Sequence, residues 1–276
     1  MVPSEPRVGS RGRGISRELW LRLASAAVLI PLGLACVTLG GVPLAIISAL
    51  VAAMMAFEWS RMAKSKFGPL MIAGAAGANL VFMVNATWAL MVLVGVGALA
   101  SLMGRQSPQP NSTLLGTIYA GGLPLALQTI RDLPEGGFVL AMGVMLFSWS
   151  SDSSAYFAGR TFKGPLLAPD DSPNKTWSGA IGAVVGSVAA SIAYALLIGA
   201  PIYLWVILGL LVSAAAQIGD LFESQIKRQH AVKDTSGFLP GHGGVMDRLD
   251  GFGTACIAVV ALVRLLPGLP GQLAGG

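Results

Sequence analysis

Acidic and basic side chains recur at helical spacing in one short segment, residues 217–228. On a continuous helix Asp220, Glu223 and Lys227 share one face because they are three and four residues apart, and Ser224 and Arg228 lie beside them. Two carboxylates and two cations would therefore meet at one place. Clustered carboxylates bind hard cations, and lysine and arginine bind phosphate groups. The segment predicts a site for a cation and a phosphate compound.

A glycine-rich loop follows this segment. Its sequence, Pro-Gly-His-Gly-Gly at 240–244, predicts a loop because proline breaks helices and glycine permits positive φ, and such a loop lets backbone N–H groups approach a phosphate. Asp247 and Asp250 then share one side of a helix that starts near Val245. A solvated loop with surface salt bridges is the alternative interpretation, but it requires neither the glycines nor acids at the end of an apolar helix.

The composition places this chemistry in a membrane. The chain has 276 residues, of which 54% are hydrophobic and 11% charged, and its mean hydropathy is +0.70. Soluble domains carry about 25% charged residues, so a water-soluble globular fold is excluded. The two cysteines, Cys36 and Cys256, both lie in apolar segments, which argues against a disulfide framework and redox chemistry.

The apolar runs predict an all-α polytopic integral membrane protein with about nine transmembrane helices. We place these helices near 19–39, 43–60, 69–85, 86–103, 113–130, 138–157, 178–198, 202–222 and 252–267. The first run could also be a cleaved signal peptide. It is long enough to span a bilayer, however, so a transmembrane first helix is the favoured interpretation.

Lysine and arginine in short loops predict the side of the membrane on which each loop lies. Four arginines within residues 7–17 place the N-terminus in the cytoplasm. Alternation through nine spans then puts both polar blocks of the second half, 159–177 and 223–251, on the cytoplasmic face.

The net charge of +5 fits this orientation and anionic lipid headgroups, and no nucleic-acid-binding module is recognisable. The predicted regions are a basic arm (1–18), N-terminal transmembrane helices acting as a scaffold (19–135) and a C-terminal transmembrane catalytic region (136–276).

Segment 224–250 contains a long pattern of recognisable residues. It reads Ser224-x-Ile226-Lys227-Arg228-x4-Lys233-Asp234-x-Ser236-x2-Leu239-Pro240-x-His242-Gly243-Gly244-Val245-x-Asp247-Arg248-Leu249-Asp250. The pattern closely resembles the signature of the phosphatidate cytidylyltransferases, also called CDP-diacylglycerol synthases. Two upstream stretches are similar to the same family: Asp152-x2-Ala155-Tyr156-x2-Gly159-Arg160-x3-Gly164 and Ser172-Pro173-Asn174-Lys175-Thr176-Trp177-Ser178-Gly179. The chain departs from the family pattern at Ser178, where glutamate is usual, and at Gly251, where serine is common.

The resemblance implies a polytopic enzyme of phospholipid biosynthesis in the plasma membrane, with a cytoplasmic active site. Its reaction would be attack of the phosphate of phosphatidate on the α-phosphorus of CTP, giving CDP-diacylglycerol and pyrophosphate. Mg²⁺, alone or with a second cation, would bridge phosphate oxygens, because such transfers depend on positioning and charge neutralisation. The lipid substrate would enter from the bilayer, and a homodimer is compatible with the family.

The resemblance also implies roles for individual residues. The metal ligands would be Asp220 and Asp247 first, then Glu223, Asp250 and Asp152. The phosphates of both substrates would be neutralised by Lys227, Arg228, Lys233 and Arg248, with Lys175 and Arg160 on the opposite wall. Asp220, Asp247, Lys227 and Arg228 are the predicted catalytic residues. Further substrate contacts would come from Ser172, Thr176, Ser224, His242, Gly243 and Gly244, although Ser172 and Thr176 could equally be helix caps. His230, which has no motif around it, is expected at the surface.

Three other functions compete with this one. In a cation-coupled transporter, Asp152 and Asp220 would bind the coupling ion, but transporters concentrate polar residues near the bilayer midplane. A CDP-alcohol phosphotransferase motif also starts with a pair like Asp250-Gly251, but its later acids are missing from this sequence. An inactive scaffold protein would be favoured if Asp220 or Asp247 were absent, and both are present.

Overall fold

The fold is an array of helices interrupted by one small hairpin. The computed structural model describes Ala27 and residues 30–104, 110–236 and 243–273. The helices are α1 (Ile30–Leu39), α2 (Gly41–Met62), α3 (Gly68–Val81), α4 (Ala86–Met103), α5 (Pro110–Arg131), α6 (Gly137–Phe162), α7 (Trp177–Ile198), α8 (Ile202–Gln229), α9 (Met246–Leu265) and α10 (Leu269–Leu273). The two strands, β1 (Leu166–Ala168) and β2 (Ser172–Thr176), lie between α6 and α7.

Within the described ranges, five helices are long and apolar enough to cross a bilayer. They are Gly41–Met62, Ala86–Met103, Ser112–Arg131, Trp177–Ile198 and Ile202–Gln229. The prediction of a mostly helical membrane protein is therefore confirmed. Helices also lie at the other four predicted positions, but α1 and α3 are short as described, the second half of α6 is rich in serine, and α9 contains several charges. The number nine, the orientation in the membrane and the division at residue 135 stay predictions.

Helix α8 continues well beyond its predicted span of 202–222 and ends only at Gln229. Its 28 residues make a helix about 42 Å long, whereas the hydrocarbon core of a bilayer is about 30 Å thick. The last turns, which carry Asp220, Glu223 and Lys227, therefore extend towards one edge of the bilayer. The shared face predicted for these three side chains is present because the helix is unbroken through them.

The hairpin is an element that the all-α prediction lacked. Leu166 pairs with Thr176 and Ala168 with Ser172 in antiparallel register. Prolines at 165, 169 and 173 disfavour a helix here because proline lacks the N–H group that an inner turn needs. The second strand leads directly into α7 and places Lys175 beside α8.

Small residues bring the helices of the second half close together. A Cβ at Gly219 of α8 would lie 2.3 Å from Thr254 Oγ1 and 2.8 Å from the carbonyl oxygen of Asp250, so only glycine allows α8 to approach α9 this closely. On α7, Gly182 and Gly186 leave similarly little space against α6. The small-residue face of α7 therefore packs against a helix, and the acid-bearing parts of α6, α8 and α9 converge.

The N-terminal helices also contribute to this packing. Trp59 of α2 and Tyr119 of α5 share a hydrophobic cluster with Ile226 of α8 and Met246 of α9. Side chains from both sides of residue 135 thus form one core. The N-terminal helices are more than a lipid-facing scaffold, because they bury the ends of α8 and α9 from which the predicted catalytic residues project.

Candidate active site

Lys227 lies at the centre of a charged cluster, defined here as Glu223, Lys227, Asp247 and Asp250, where α8 meets α9. Its ammonium group donates to Asp247 Oδ1 at 2.7 Å and lies 3.7 Å from Glu223 Oε2. The side chain of Lys227 is 13% exposed, that of Asp247 8% and that of Glu223 0%. Opposite charges this well shielded from water interact strongly. The structure therefore brings the predicted catalytic residues Lys227 and Asp247 into direct contact.

Asp247 is held through both of its carboxylate oxygens. Oδ1 accepts from Lys227, and Oδ2 accepts from the Gly244 N–H at 2.9 Å and from the Thr235 N–H and hydroxyl at 3.1 and 3.0 Å. Burial acts to raise the pKa of Asp247, but the hydrogen bonds from Lys227 and the Gly244 N–H outweigh it and lower the pKa. Asp247 is therefore ionised, and both of its carboxylate oxygens accept hydrogen bonds from other residues of the protein.

Glu58 is a buried acid near this cluster that the sequence analysis did not include. It lies on α2, is 0% exposed, and accepts hydrogen bonds from the N–H groups of Val245 and Met246 at 2.9 and 2.8 Å. The Ser236 hydroxyl also donates to it, and the Thr235 hydroxyl lies 3.3 Å away. The sequence does contain a feature that could have identified Glu58: it directly follows a long charge-free stretch of a predicted span, as Asp220 does.

Glu223 and Asp250 form the most buried part of the charged cluster. Neither carboxylate oxygen of Glu223 has a hydrogen-bond partner with good geometry, and its ionisable neighbours are Lys227, Asp250 and Asp247. A buried carboxylate without hydrogen bonds is unfavourable, and Lys227 compensates it only in part because its ammonium group donates to Asp247. This is an indication that a further cation or a substrate group completes the environment of Glu223.

Asp220 and Lys175 form an ion pair at the rim of this region. Lys175 Nζ lies 2.5 Å from Asp220 Oδ2, and the two side chains are 24% and 46% exposed. Asp152 on α6 is also exposed, and its carboxylate interacts electrostatically with Asp220, Asp250 and Lys175. The predicted acids of α6, α8 and α9 therefore lie near one another, with the charged cluster buried and Asp220 and Asp152 more exposed. The solvent-accessible side of the cluster, next to Asp220 and Asp152, is called the opening.

The five predicted metal ligands fit a divalent cation as oxygen donors but do not enclose one. Among the described residues, no three histidine, cysteine, aspartate or glutamate side chains lie close enough to hold a metal ion together. Mg²⁺ often binds through one or two carboxylates and takes its remaining ligands from water and substrate phosphates. The oxygens of Glu223, which accept no hydrogen bond, suit that kind of site, with Asp250 and Asp220 nearby.

The remaining predicted cations lie at the protein surface. Arg228 donates to the carbonyl oxygens of Asp171 and Val232 at 3.2 and 3.4 Å. Arg160, at the end of α6, lies over the ring of Tyr156 with its guanidinium carbon 5.7 Å from the ring centroid. Lys233 and Arg248 are exposed. Arg228 and Arg248 directly follow Lys227 and Asp247 in sequence, so they lie beside the charged cluster, while a place for Arg160 and Lys233 at the site stays a prediction.

The hydroxyl residues separate into different roles. Thr176 caps α7 by accepting from the Gly179 N–H at 3.1 Å, so the capping alternative is present in the structure. Ser172 lies in β2 and caps no helix, and Ser224 is half-buried on α8. His230 was expected at the surface but is half-buried, because its ring packs between Ile226 of α8 and Ser112 of α5.

The glycine-rich loop is described only at its C-terminal end. His242 lies outside the described residues, so its predicted phosphate contact stays a prediction. Gly243 has φ of +83°, as expected of a glycine in this loop. Gly244 is buried, and its N–H is directed to Asp247 rather than to open space.

Gly244→Ala tests how tightly this turn is packed. A Cβ at Gly244 would lie 2.0 Å from Thr235 Oγ1 and 2.8 Å from Glu58 Oε2, so the hydrogen bonds around Asp247 must shift. We expect the free energy of unfolding to fall by about 1–3 kcal/mol, as for other overpacked sites. Denaturation of purified protein measures this change. Gly95→Ala on α4, where the added Cβ meets no atom within 4 Å, is the matched control, and equal stability of the two variants would contradict the prediction.

Tyr119 of α5 is a second residue that the sequence analysis did not include. Its hydroxyl is buried and has no hydrogen-bond partner, while its ring contacts Trp59 and Phe222 at centroid distances of 5.5 and 6.0 Å. The electrostatic neighbours of the hydroxyl are acids of α8 and α9, among them Asp250 and Glu223. Tyr119 therefore closes the charged cluster on the side of the N-terminal helices.

Tyr119→Phe is expected to stabilise the substrate-free protein. An unpaired buried hydroxyl lowers stability by about 1–3 kcal/mol, and phenylalanine keeps both ring contacts. Thermal unfolding in detergent measures the change, with Tyr203→Phe as control because Tyr203 is 66% exposed. A lower melting temperature for Tyr119→Phe alone would mean that the hydroxyl has a partner in solution.

An open cavity of about 1120 Å³ lies elsewhere in the molecule. It is lined by residues between α5 and α6, between α7 and α8, and after α9, including Glu135, Pro201 and Gly271. These connections lie at the opposite ends of α8 and α9 from the charged cluster. The cavity is therefore separate from the candidate active site.

Comparison with known proteins identifies the family. The sequence matches the family model described as cytidylyltransferase over residues 20–266. The chain belongs to the cytidylyltransferase family. The phosphatidate cytidylyltransferase of Brucella abortus biovar 1 (strain 9-941) is 36% identical over 271 residues, which cover 90% of this chain and 93% of the relative.

Two further relatives match the chain over shorter regions. The phosphatidate cytidylyltransferase of Rickettsia prowazekii (strain Madrid E) is 36% identical over 170 residues, 58% of this chain and 74% of its own length. That of Bacillus subtilis (strain 168) is 39% identical over 140 residues, 50% of this chain and 52% of its own length. The resemblance deduced from segment 224–250 is thereby confirmed, and this cytidylyltransferase is an enzyme of the nucleotidyltransferase class.

The two departures of this cytidylyltransferase from the pattern have simple structural settings. The Ser178 hydroxyl donates to the carbonyl oxygen of Lys163 and contacts the Thr176 hydroxyl, so it stabilises the start of α7. A Cβ at Gly251 would lie 3.1 Å from the carbonyl oxygen of Ala216, a close contact between α9 and α8. Neither residue is a member of the charged cluster.

Proposed function

We propose that the protein transfers the cytidylyl group of CTP to phosphatidate, giving CDP-diacylglycerol and pyrophosphate. The observation that carries the proposal is the convergence of carboxylates and lysines where α8 meets α9, in a cytidylyltransferase whose relatives bear the name of this reaction. In the proposed step, an oxygen of the phosphatidate phosphate forms a bond to the α-phosphorus of CTP. The bond from that phosphorus to the bridging oxygen of the β-phosphate breaks, and pyrophosphate leaves.

The side chains of the protein neutralise and orient the two anionic substrates in this proposal. Lys175, Arg228, Lys233 and Arg248 would attract the triphosphate and the lipid headgroup. Lys227 is held towards the opening by Asp247 and neutralises charge on the reacting phosphates. Because the attacking phosphate is already anionic, no side chain has to remove a proton from it. Arg160, Ser172, Thr176, Ser224, His242, Gly243 and Gly244 complete the proposed substrate contacts.

Mg²⁺ is the proposed cofactor, alone or with a second cation. Asp220, Glu223 and Asp250 would hold it, with Asp152 and Asp247 as the further proposed ligands. The bound cation would supply charge neutralisation at the phosphate oxygens of both substrates. The carboxylate of Glu223 supports this assignment because its oxygens accept no hydrogen bond and Lys227, 3.7 Å away, donates to Asp247 instead.

The setting of the reaction completes the proposal. The charged residues lie at one end of α8, and the arginine-rich N-terminus supports a cytoplasmic location for that end under nine spans. The bacterial relatives support the plasma membrane as the location. Phosphatidate would reach the opening from the bilayer and CTP from the cytoplasm, and a homodimer is the proposed assembly.

The direct test is release of pyrophosphate by purified, detergent-solubilised protein. The reaction receives CTP, dioleoyl phosphatidate and Mg²⁺, and each is left out in turn, while mass spectrometry detects CDP-diacylglycerol in the lipid phase. We expect both products to form in equal amounts only when all three are present. Replacing phosphatidate with diacylglycerol, which lacks the attacking phosphate, is the matched lipid control.

Other outcomes would contradict the proposal. Pyrophosphate formed without lipid indicates a nucleotide hydrolase instead. Folded protein that releases no pyrophosphate under any condition, yet moves cations across proteoliposomes, indicates the transporter that competes with this function.

A further inference from the structure

The carboxylate of Glu58 joins α2 to two separate parts of the chain around the active site. On one side it accepts from the Ser236 hydroxyl and lies 3.3 Å from that of Thr235. On the other side it accepts from the consecutive N–H groups of Val245 and Met246, at the start of α9. These partners are 177 to 188 residues away in sequence. One side chain of the N-terminal half therefore fixes both the segment that follows α8 and the beginning of α9.

The groups that Glu58 fixes are the same ones that hold Asp247. The Thr235 hydroxyl lies between the two carboxylates, 3.0 Å from Asp247 Oδ2 and 3.3 Å from Glu58 Oε2. The Gly244 N–H, directly before Val245, donates to Asp247 at 2.9 Å. If Thr235 or Val245 moves, the donors on Oδ2 move with it. The position of the Lys227 ammonium group, which donates to Oδ1 of the same carboxylate, then changes as well.

We infer that Glu58 is a positioning residue for cytidylyl transfer, acting through Thr235 and Gly244 on Asp247 and Lys227. The inference rests on the proposed function. It goes beyond that function by assigning a part in the reaction to α2, which contributes no side chain to the predicted site. Glu58 does not itself touch the opening, because its carboxylate is fully buried among its partners.

Both carboxylate oxygens of Glu58 act as acceptors in this arrangement. A carboxylate offers two acceptor oxygens, whereas the amide of glutamine offers one and directs its NH₂ group at donors that need an acceptor. A negative charge is also favourable beside the first N–H groups of a helix. Glu58→Gln therefore keeps the shape of the side chain and loses about half of its hydrogen-bonding function.

The test compares Glu58→Gln with Glu135→Gln, which makes the same chemical change at an exposed position. Turnover and KM are measured with CTP and phosphatidate, normalised to folded protein. For Glu58→Gln we expect kcat to fall at least tenfold while the KM for CTP changes less than threefold, because the phosphate-binding cations around the opening remain. A purely structural role would reduce the folded fraction and leave kcat per folded molecule unchanged. That result would overturn the inference.

Hydrogen exchange provides a readout that does not depend on activity. In substrate-free protein, the amides of Gly244, Val245 and Met246 should exchange at least tenfold faster in Glu58→Gln than in wild type. Amides in the middle of α4 should not change, and equal exchange at the start of α9 would overturn the inference. If wild-type protein makes no CDP-diacylglycerol, the proposed function fails, while the exchange experiment still tests the connection from Glu58 to α9.

A second variant keeps the test decisive if Glu58→Gln does not fold. Ser236→Ala removes one donor to Glu58 and leaves the carboxylate in place. We expect a severalfold decrease in kcat with an unchanged KM for CTP. Unchanged kcat in this folded variant would refute the inference.

Discussion

Asp220→Asn should reduce the rate of CDP-diacylglycerol formation at least about a hundredfold and leave the stability of the protein nearly unchanged. Removing one electrostatic contact to a reacting group typically lowers kcat by about 10²–10³. The stability effect is small because the ion pair of Asp220 with Lys175 is 46% and 24% exposed, and exposed pairs contribute about 0–1 kcal/mol. Turnover and thermal unfolding measured on the same preparation separate the two effects.

Asp170→Asn is the matched control for this variant. Asp170 is exposed in the turn between β1 and β2. Replacing it with asparagine removes one negative charge, as Asp220→Asn does, but outside the charged cluster. We expect its turnover to stay within about twofold of wild type, since surface substitutions away from such features have small effects. Comparable activity of the Asp220 and Asp170 variants would remove Asp220 from the proposed catalytic residues.

Lys227→Met should be the most destabilising substitution in the site. It removes the cation between Asp247 and Glu223 and leaves both carboxylates buried beside Asp250 without that ion pair. Breaking a buried pair by removing one partner lowers stability by about 3–5 kcal/mol. Chemical denaturation in detergent measures the change, and activity should be lost as well because Lys227 faces the reacting phosphates in the proposed function.

Two further variants show whether the loss of stability in Lys227→Met comes from the buried charges. Lys233→Met removes a positive charge from an exposed position close in sequence and should change stability by less than about 0.5 kcal/mol. Adding Asp247→Asn to Lys227→Met removes one of the uncompensated carboxylates and should restore part of the stability. A double variant less stable than Lys227→Met would show that the destabilisation comes from lost packing rather than charge.

The parts of the site that follow from local periodicity were predictable from sequence. Asp220, Glu223 and Lys227 lie on one face because α8 is continuous through them, and the start of α9 near Val245 follows from the glycines before it. Each of these features depends on residues within a few positions of one another.

The parts that depend on distant contacts were not predictable in this way. Glu58 and Tyr119 reach the charged cluster only because α2 and α5 pack against α8 and α9, and no spacing in the sequence reports that packing. The hairpin was missed because its strands are three and five residues long and contain little apolar alternation. Whether Thr176 is a cap or a substrate ligand also depends on where α7 begins, which residue type alone does not decide.

The connection from Glu58 to α9 has a consequence for biosynthesis. During translation, Glu58 leaves the ribosome 177 residues before Thr235, the nearest in sequence of its four partners. At 5–20 residues per second, this interval is about 10–35 s, during which the acid has none of these four donors. An unpaired carboxylate in the hydrocarbon region is unfavourable, so the nascent α2 should keep its C-terminal end at the membrane surface until α9 arrives. The last helices to be inserted would then complete the burial of one of the first.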